Sequence, residues 1–320
     1  MAFDITNYKS FIDKCFYPDN YTLEEIEKGL SDDIKFKADA DGRSYIVKIV
    51  EGKKNTPYKS NRSVLYQALC RAHAEDARVV CPKWFDYIDN HIVTVTEWIE
   101  GASLEEYLYS HPSKQIEYGK QVGKLLFNIH NLGFVKSEIE KSNEKFAPKA
   151  MEKVDGLLDS VKRLNLSFPG IERVVEFLRN NKDVISEERV GILHSDVRPE
   201  NILIDGGRLF LIDFDSGTFG DRYAEFTYLT ALACKDFRAF AYAVIMSYFD
   251  GAPPRDFWKA NLYFCMIKLL EYAVYKFNKS GKMVVNQAQS CMKIFKGFDE
   301  VIPDWWDEED RLYGKEFTLK

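Results

Sequence analysis

The most informative stretch of the sequence is His194-Ser195-Asp196-Val197-Arg198-Pro199-Glu200-Asn201-Ile202-Leu203-Ile204, followed shortly by Leu209-Phe210-Leu211-Ile212-Asp213. The two apolar runs flank Asp205-Gly206-Gly207-Arg208, and a pair of glycines permits the positive φ values of a tight hairpin turn. If the glycines form the loop, the numbers of facing residues sum to about 413. The pattern therefore predicts a short β-hairpin.

The open end of this hairpin would bring oxygen ligands together. The predicted pairing places Asn201 opposite Ile212, so the amide oxygen of Asn201 lies beside the carboxylate of Asp213. Such a pair suits Mg²⁺, which keeps several waters and takes phosphate oxygens as further ligands. Asp196, five residues before Asn201, lies on the loop that enters the hairpin, where it can accept a proton from an attacking hydroxyl.

This block resembles the catalytic loop and metal-binding Asp of kinases, and most closely those of the aminoglycoside phosphotransferase and choline kinase-like family. Arg198-Pro199-Glu200-Asn201 is similar to the (His/Arg)-Pro-x-Asn of small-molecule kinases, and Ile212-Asp213-Phe214-Asp215 replaces Asp-Phe-Gly. Phe219-Gly220-Asp221-Arg222-Tyr223-Ala224-Glu225-Phe226 resembles the family's Gly-Asp-Pro-x-x-(Asp/Glu), with Arg222 where Pro is usual.

The resemblance implies a role for each residue of the block. Asp196 would be the catalytic base, and Asn201 with Asp213 would hold Mg²⁺. Arg198 would either neutralise charge near the transferred phosphoryl group or brace the loop. Asp215 would reach a second metal or the substrate, or be structural.

Two other residues of the block are expected to be structural. His194 would hold the loop by hydrogen bonds rather than accept a proton. Asp221 would cap the helix that follows, because a carboxylate at this position satisfies free backbone N–H groups.

The first part of the chain supplies candidates for nucleotide binding. Lys48, between apolar residues of a predicted strand, resembles the kinase lysine that holds the α and β phosphates. The turn from Gly29 to Asp33 would cover the phosphates with backbone N–H groups and with Ser31. It carries one glycine, fewer than the Gly-rich loop of protein kinases.

The helix after Lys48 departs from the kinase pattern. It should carry a Glu that pairs with the lysine, but residues 61–73 contain no acid. Gln67 is the nearest candidate by position, although an amide offers no charge. Glu75 or Asp76 would substitute if the helix runs longer.

Two further segments resemble the family. Val93-Thr94-Val95-Thr96-Glu97-Trp98-Ile99-Glu100-Gly101 is similar to its hinge, which implies that backbone groups at Glu97 and Ile99 bind adenine. Residues 125–133 resemble a family helix end, in which His130 is expected to be a packed core residue.

Hydrophobic periodicity predicts the order of elements around these motifs. We expect a leading helix before Pro18, a three-strand meander within 24–50 whose first strand is Glu25 to Lys28, a helix over 60–74, and strands over 79–86 and 91–98. Helical patterns dominate from Ser103 onward, interrupted by a strand-rich island over 190–213. The sequence thus predicts an α+β, two-lobed, protein kinase-like fold. Its lobes would be a small antiparallel β lobe (1–98) and a larger, mainly helical lobe (99–320), with the hinge at about 97–101.

Composition narrows the class of protein. The 320 residues are 46% hydrophobic and carry a net charge of −6, which disfavours binding to nucleic acid. We expect neither a secretory signal, because the first residues are charged and lack an apolar core, nor a membrane span, because no apolar run is long enough. We expect a cytoplasmic protein whose six dispersed cysteines are reduced, mostly buried thiols.

The acceptor site is the least determined part. Asp299 to Asp310 holds seven acids and two adjacent tryptophans. It is either a solvated acidic tail with docked tryptophans or a wall of the acceptor cleft, where Asp304, Asp307 and Glu308 attract a cation and Trp stacks on it. Glu271 is a further candidate.

The sequence therefore predicts a Mg²⁺-dependent kinase that transfers the γ-phosphate of ATP or GTP to a hydroxyl of a small, cationic acceptor, as antibiotic phosphotransferases of the aminoglycoside type do. A kinase for choline, a sugar or another metabolic alcohol is the alternative within this class. A catalytically silent nucleotide-binding module is the alternative from another class. The donor nucleotide and the oligomeric state are not determined by the sequence.

Overall fold

A computed structural model of the protein describes residues 5–18, 20–26, 33–51, 56–134, 146–232 and 236–318. Contacts divide the chain into two compact units. The first contains Met1–Ser103 and Ile202–Asp213, and the second contains Leu104–Asn201 and Phe214–Lys320.

The first unit is built on an antiparallel five-stranded sheet with strand order β1-β2-β3-β5-β4. Its strands are β1 (Tyr21–Glu25), β2 (Ile34–Ala40), β3 (Arg43–Glu51), β4 (Pro82–Ile88) and β5 (His91–Glu97). Its helices are α1 (Thr6–Phe16) and α2 (Thr56–Glu75). The predicted leading helix, the helix after Lys48 and the last two strands are confirmed, with shifted ends.

Helix α1 packs on this sheet because its apolar residues recur every four positions. Tyr8, Ile12 and Phe16 are buried, whereas the polar residues at 9, 10, 13 and 14 are exposed. The buried side chains join those of β2, β3 and β5 in one core. The unit therefore has its own hydrophobic interior.

The first strand of the meander begins earlier than predicted. It is Tyr21–Glu25 and pairs with β2 from Tyr21↔Ala40 to Glu25↔Phe36. This register turns Tyr21 and Leu23 toward the core, whereas the charged Glu24 and Glu25 stay exposed. Burial of the two apolar side chains explains the shift; the predicted end at Lys28 lies outside the described residues.

The hairpin is confirmed as strands β8 (Ile202–Asp205) and β9 (Arg208–Leu211). Ile202 pairs with Leu211, as the predicted register requires. Gly206 and Gly207 have φ values of 54° and 80°, a region that glycine enters without steric penalty.

The hairpin groups with the first unit, whereas the predicted boundary at residue 98 assigns it to the second. Strand β6 (Ala102–Ser103) pairs with β8, and Leu211 accepts a hydrogen bond from Val80 N. Gly101, with φ 135°, precedes β6, and a Cβ there would lie 2.1 Å from Ile204 O. Strand pairing thus extends the first unit to Ser103 and adds the hairpin.

The second unit is mainly helical. Its helices are α3 (Leu104–Ser110), α4 (Gln115–His130), α5 (Phe146–Arg163), α6 (Ile171–Asn180), α7 (Arg238–Tyr248), α8 (Arg255–Ser280), α9 (Val285–Ile294), α10 (Trp306–Tyr313) and α11 (Lys315–Thr318). Strands β7 (Val190–Leu193) and β10 (Thr218–Asp221) pair antiparallel. Short 3₁₀ turns include Pro199–Asn201, Phe214–Ser216 and Arg222–Phe226.

Helices α4 and α7 lie unusually close together. A Cβ at Gly119 would lie 2.6 Å from Phe240 O, and one at Gly123 would lie 2.3 Å from Val244 O. The two glycines of α4 therefore leave room for the backbone of α7. No helix among the described residues combines the length and the apolarity that a membrane span needs.

Candidate active site

Lys48 lies on β3 with its ammonium group between two carboxylates of the first unit. Its side chain is only 11% exposed, and Nζ lies 3.0 Å from Asp213 Oδ1 and 3.4 Å from Asp33 Oδ2. Asp213 follows β9 by two residues, so the hairpin positions its carboxylate. Its φ of 65° is uncommon for a residue with a side chain, and such backbone conformations concentrate at functional sites.

The missing helix glutamate is replaced by an acid from another element. Asp33, directly before β2, pairs with Lys48, whereas the predicted substitute Gln67 is exposed on α2 and is not brought to the lysine. Asp76 contacts Arg78 instead, and hydrogen bonds from that guanidinium lower the pKa of Asp76. Glu75 is exposed. Asp33 lies outside the helix that should carry the acid, and it reaches Lys48 only through the pairing of β2 with β3.

The remaining nucleotide candidates are partly described. Gly29 and Ser31, predicted to cover the phosphates, lie outside the described residues. Glu97 is the exposed last residue of β5, and Ile99 is half-buried in the segment that follows. Trp98 N donates to Ser44 O, which holds this segment against β3.

In the second unit, Asn201 fixes the carboxylate of Asp196. The buried amide nitrogen of Asn201 donates to Asp196 Oδ2 at 2.8 Å and to Asp196 O at 2.9 Å. Both amide hydrogens are thereby used, so the amide oxygen is the group of Asn201 that can bind a cation.

The second oxygen of Asp196 has a different environment. Oδ1 lies 3.4 Å from Arg198 Nε but has no hydrogen-bond partner among the described residues. Arg198 also lies 3.8 Å from Glu200 and stands over the Tyr228 ring at 6.0 Å from its centre. Asp196 therefore has one oxygen fixed by Asn201 and one that is buried beside Arg198 without a hydrogen bond.

A buried carboxylate anchors the loop that carries Asp196. Glu225 is fully buried and accepts hydrogen bonds from His194 N and Ser195 N, each at 2.7 Å. His194 Nδ1 in turn accepts from Asp196 N at 3.2 Å, which confirms its predicted structural role. Ser195 has φ 67°, so its N–H direction depends on an uncommon backbone conformation.

Histidine and backbone groups keep Glu225 ionised despite its burial. Burial alone would raise its pKa, but the hydrogen bond and charge of His130, the charge of His194 and the His194 N–H lower it below the usual value. His130 is itself buried, as predicted, and its Nδ1 lies 3.0 Å from Tyr248 Oη. The loop is thus connected to α4 and α7.

Asp221 caps the turn that follows it and also forms an ion pair. It accepts from Tyr223 N at 3.1 Å, which confirms the predicted cap. Arg189 contacts the same carboxylate through Nε and Nη2, at 2.7 Å for the closest pair. The arginine lies 32 positions away along the chain, so the sequence pattern did not indicate it.

The candidate metal ligands have suitable chemistry. Asn201 offers an amide oxygen and Asp213 a carboxylate, and hard cations such as Mg²⁺ prefer oxygen ligands. No group of three or more His, Cys, Asp or Glu side chains in the described part of the chain could hold a metal. Asn201 belongs to the second unit and Asp213 to the first, so the shared Mg²⁺ site stays a prediction of the sequence.

A family model described as APH, phosphotransferase enzyme family, matches residues 22–258. The chain belongs to this phosphotransferase family. It is a kinase that transfers phosphate to a hydroxyl acceptor. The match includes Lys48, Asp196, Asn201 and Asp213, so the phosphotransferase motifs predicted from the sequence lie inside the family region.

Solved structures share the kinase-like fold of this phosphotransferase at low identity. Spectinomycin phosphotransferase APH(9)-Ia, in complex with ADP and spectinomycin, is 14% identical with a TM-score of 0.60, covering 96% of this chain and 97% of its own. The gentamicin–APH(2")-IIa complex is 17% identical with a TM-score of 0.62, and the match covers 92% of this chain and 97% of that one. A choline/ethanolamine kinase family protein from Mesorhizobium loti is 18% identical with a TM-score of 0.51, and the match covers 93% of this chain and 88% of that one. The predicted fold class is confirmed, while a search of curated proteins finds no match.

The candidate acceptor residues of the phosphotransferase lie in several environments. Asp215 is half-buried in the turn after Asp213, and Glu271 on α8 pairs with Lys153 at 2.6 Å and Lys268 at 3.8 Å. Asp304, Asp307 and Glu308 are exposed. These last three form no ion pair with another described residue.

The two adjacent tryptophans belong to the core of the second unit. Trp305 is 3% exposed and donates from Nε1 to Thr230 O at 3.2 Å. Trp306 is 8% exposed and packs against the rings of Tyr242 and Trp258. Docked tryptophans were one of the two predicted interpretations; the other, a stacking surface for the acceptor, is not supported by this burial.

Proposed function

We propose that this phosphotransferase uses a Mg²⁺-bound nucleoside triphosphate and that Asp196 is its catalytic base. Asn201 and Asp213 would hold Mg²⁺, which when bound neutralises charge on phosphate oxygens. Lys48 would bind the nucleotide phosphates, and backbone groups at Glu97 and Ile99 the adenine.

One observation carries the catalytic assignment. Asp196 Oδ2 is held by Asn201, whereas Oδ1 lacks a hydrogen-bond partner among the described residues. A general base needs a fixed position and an oxygen able to accept the proton of the attacking hydroxyl. Arg198 Nε lies 3.4 Å from that oxygen, which favours a role for the arginine as a charge partner of the base.

We propose a small, cationic, hydroxylated molecule of the aminoglycoside class as acceptor. Two structural neighbours are complexes with spectinomycin and gentamicin, and Asp304, Asp307 and Glu308 give the second unit an exposed acidic segment. The other acceptor candidate is an amino alcohol, because a choline/ethanolamine kinase family protein shares the fold. Both classes carry the positive charge that this segment favours.

The test of nucleotide binding is thermal unfolding with ATP or GTP, each with and without Mg²⁺. A ligand that binds the folded state raises the unfolding temperature, and we expect a larger rise when Mg²⁺ is present. The Asp213→Ala variant should lose the Mg²⁺-dependent part, whereas Asp205→Asn, at an exposed position of the same hairpin, should keep it. Absence of any shift with both nucleotides would refute the proposal.

The test of transfer is phosphoproduct formation over a panel of acceptors. The panel contains spectinomycin, gentamicin, choline, ethanolamine and uncharged sugars, and mass spectrometry detects an acceptor whose mass has increased by one phosphate. We expect turnover with a cationic member. Nucleotide binding without product from any acceptor would instead support the silent nucleotide-binding module.

A further inference from the structure

Two cysteines that are eleven positions apart come into contact in the first unit. Cys70 lies on the last turns of α2 and Cys81 directly before β4, and their sulfur atoms are 3.7 Å apart. Cys70 is exposed and Cys81 is half-buried, so small reagents can reach the pair. This placement differs from the sequence expectation of dispersed, mostly buried thiols.

Cys70 Sγ has two neighbours within hydrogen-bond distance, the Cys81 thiol and Pro82 O at 3.4 Å. The Cys81 thiol donates a hydrogen bond to Cys70 Sγ, and this bond together with the charge of His73, against the opposing effect of burial, lowers the pKa of Cys70 to about 7. A thiolate is the nucleophilic form of cysteine. The pKa of Cys81 is raised, mainly by the same hydrogen bond, so the two thiols differ in reactivity.

We propose that Cys70 and Cys81 form a thiol–disulfide exchange site that takes small-molecule disulfides such as oxidised glutathione. The two cysteines are less suited to binding a metal, because no third ligand lies beside them among the described residues. The nearby His73 has its Nδ1 2.8 Å from Val79 O, so this nitrogen is already engaged. A disulfide needs a sulfur–sulfur distance of about 2.05 Å, so the two side chains must approach by roughly 1.6 Å.

The exchange proceeds in two balanced steps. The Cys70 thiolate attacks one sulfur of the small disulfide, forming a mixed disulfide and releasing one small thiolate. Cys81 then loses its proton to solvent and attacks the Cys70 sulfur, which releases the second small thiolate. The protein loses two electrons and two protons, and the small disulfide becomes two thiols.

The first experiment treats the full chain with oxidised glutathione and maps disulfides by mass spectrometry. We expect a link between Cys70 and Cys81 that dithiothreitol removes. Cys81→Ser should stop at a glutathione adduct on Cys70, and Cys70→Ser should form neither product. Cys15→Ser is the matched control, since Cys15 lies on α1 and burial raises its pKa to about 11; it should behave like the wild type. Wild-type protein without the Cys70–Cys81 link would overturn the proposal.

The second experiment measures the pH dependence of Cys70 alkylation by iodoacetamide. We expect a midpoint near pH 7 in the wild type and a midpoint moved toward the ordinary cysteine value in Cys81→Ala, whose side chain has no hydrogen-bond donor. The disulfide form should also unfold roughly 2–8 °C higher, because it closes a short loop in the unfolded chain. Equal midpoints in the two proteins would contradict the proposed pairing.

Discussion

The two carboxylate oxygens of Asp196 differ in their partners, and this difference bears on how the residue works. Oδ2 accepts from Asn201, whose amide has no hydrogen left to donate elsewhere. Oδ1 has Arg198 nearby without a hydrogen bond. The hydrogen bond from Asn201 fixes the orientation of the carboxylate, while the second oxygen is buried without a hydrogen-bond partner among the described residues.

Asp196→Asn should therefore affect turnover far more than nucleotide binding. The amide nearly preserves the shape of the side chain but cannot take up a proton, so we expect turnover to fall by roughly 10²–10⁴-fold. The nucleotide-induced rise in unfolding temperature should persist. Asp205→Asn serves as the matched change at an exposed site, and a variant at 196 with full activity would show that another group aligns the hydroxyl.

Glu225 links pH to stability at the residue scale. Its pKa is lowered in the folded protein, so its contribution is complete above the ordinary value of about 4.5 and is lost as pH falls through the folded value. Glu225→Gln leaves one of two buried N–H groups without its acceptor, which should cost about 1–3 kcal/mol at pH 7. Below pH 4.5 the difference between wild type and variant should shrink.

The control for Glu225 is Glu309, a buried acid whose pKa is shifted in the opposite direction. Burial and the charge of Glu308 raise the pKa of Glu309, so its ionisation opposes folding at neutral pH. Glu309→Gln should therefore cause little loss of stability at pH 7. Urea unfolding of both variants from pH 4 to pH 8 measures the two trends, and parallel curves for wild type and Glu225→Gln would contradict the assignment.

At the scale of elements, the close contact of α4 and α7 depends on two glycines. Alanine at position 123 would place a methyl group 2.3 Å from Val244 O. The backbone of α7 must move to relieve this steric clash. Overpacking of this kind costs about 1–3 kcal/mol, although alanine favours a helix by up to ~1 kcal/mol. We therefore expect Gly123→Ala to lower the free energy of unfolding.

Gly156→Ala is the matched control on another helix. Gly156 lies within α5, and a Cβ there would have no neighbour within 4 Å. This variant should be stabilised by about 0.5–1 kcal/mol through helix propensity alone. If urea unfolding shows that both variants change the free energy of unfolding in the same direction, the close contact with α7 does not determine the effect of Gly123→Ala.

Elements were predictable where their signals are local. The hairpin follows from two glycines between apolar runs, and its register from the position of those glycines. The sequence could not place Asp33 beside Lys48, because that contact depends on how β2 and β3 align. Glu225 occupies the acidic position of the segment that resembles Gly-Asp-Pro-x-x-(Asp/Glu), but its partners could not be predicted because they come from a distant loop.

At the scale of the whole molecule, the acidic segment near the C-terminal end has two competing roles. Asp307 and Glu308 lie in the first turn of α10, where negative charge stabilises a helix, and Asp304 lies just before it. If the segment also attracts the acceptor, replacing the three acids by Asn, Asn and Gln should raise the KM of a cationic acceptor. The KM of the nucleotide should stay unchanged, and added salt should reduce the difference.

A charge-matched variant separates these roles. Replacing Glu24, Glu25 and Glu51 by Gln removes the same net charge from exposed positions of the first unit. Steady-state kinetics over the acceptor panel should show a raised acceptor KM only for changes in the acidic segment. Unchanged kinetics with a lowered unfolding temperature would assign the three acids to helix stabilisation.

The hairpin of the first unit has a consequence for biosynthesis. The ribosome makes β6 before it makes residues 104–201, and only then β8 and β9. At about 5–20 residues per second, strand β6 must wait roughly 5–20 s for its partner. The amino-terminal sheet can therefore form early during translation, while Lys48 meets Asp213 only after about half of the second unit has been made.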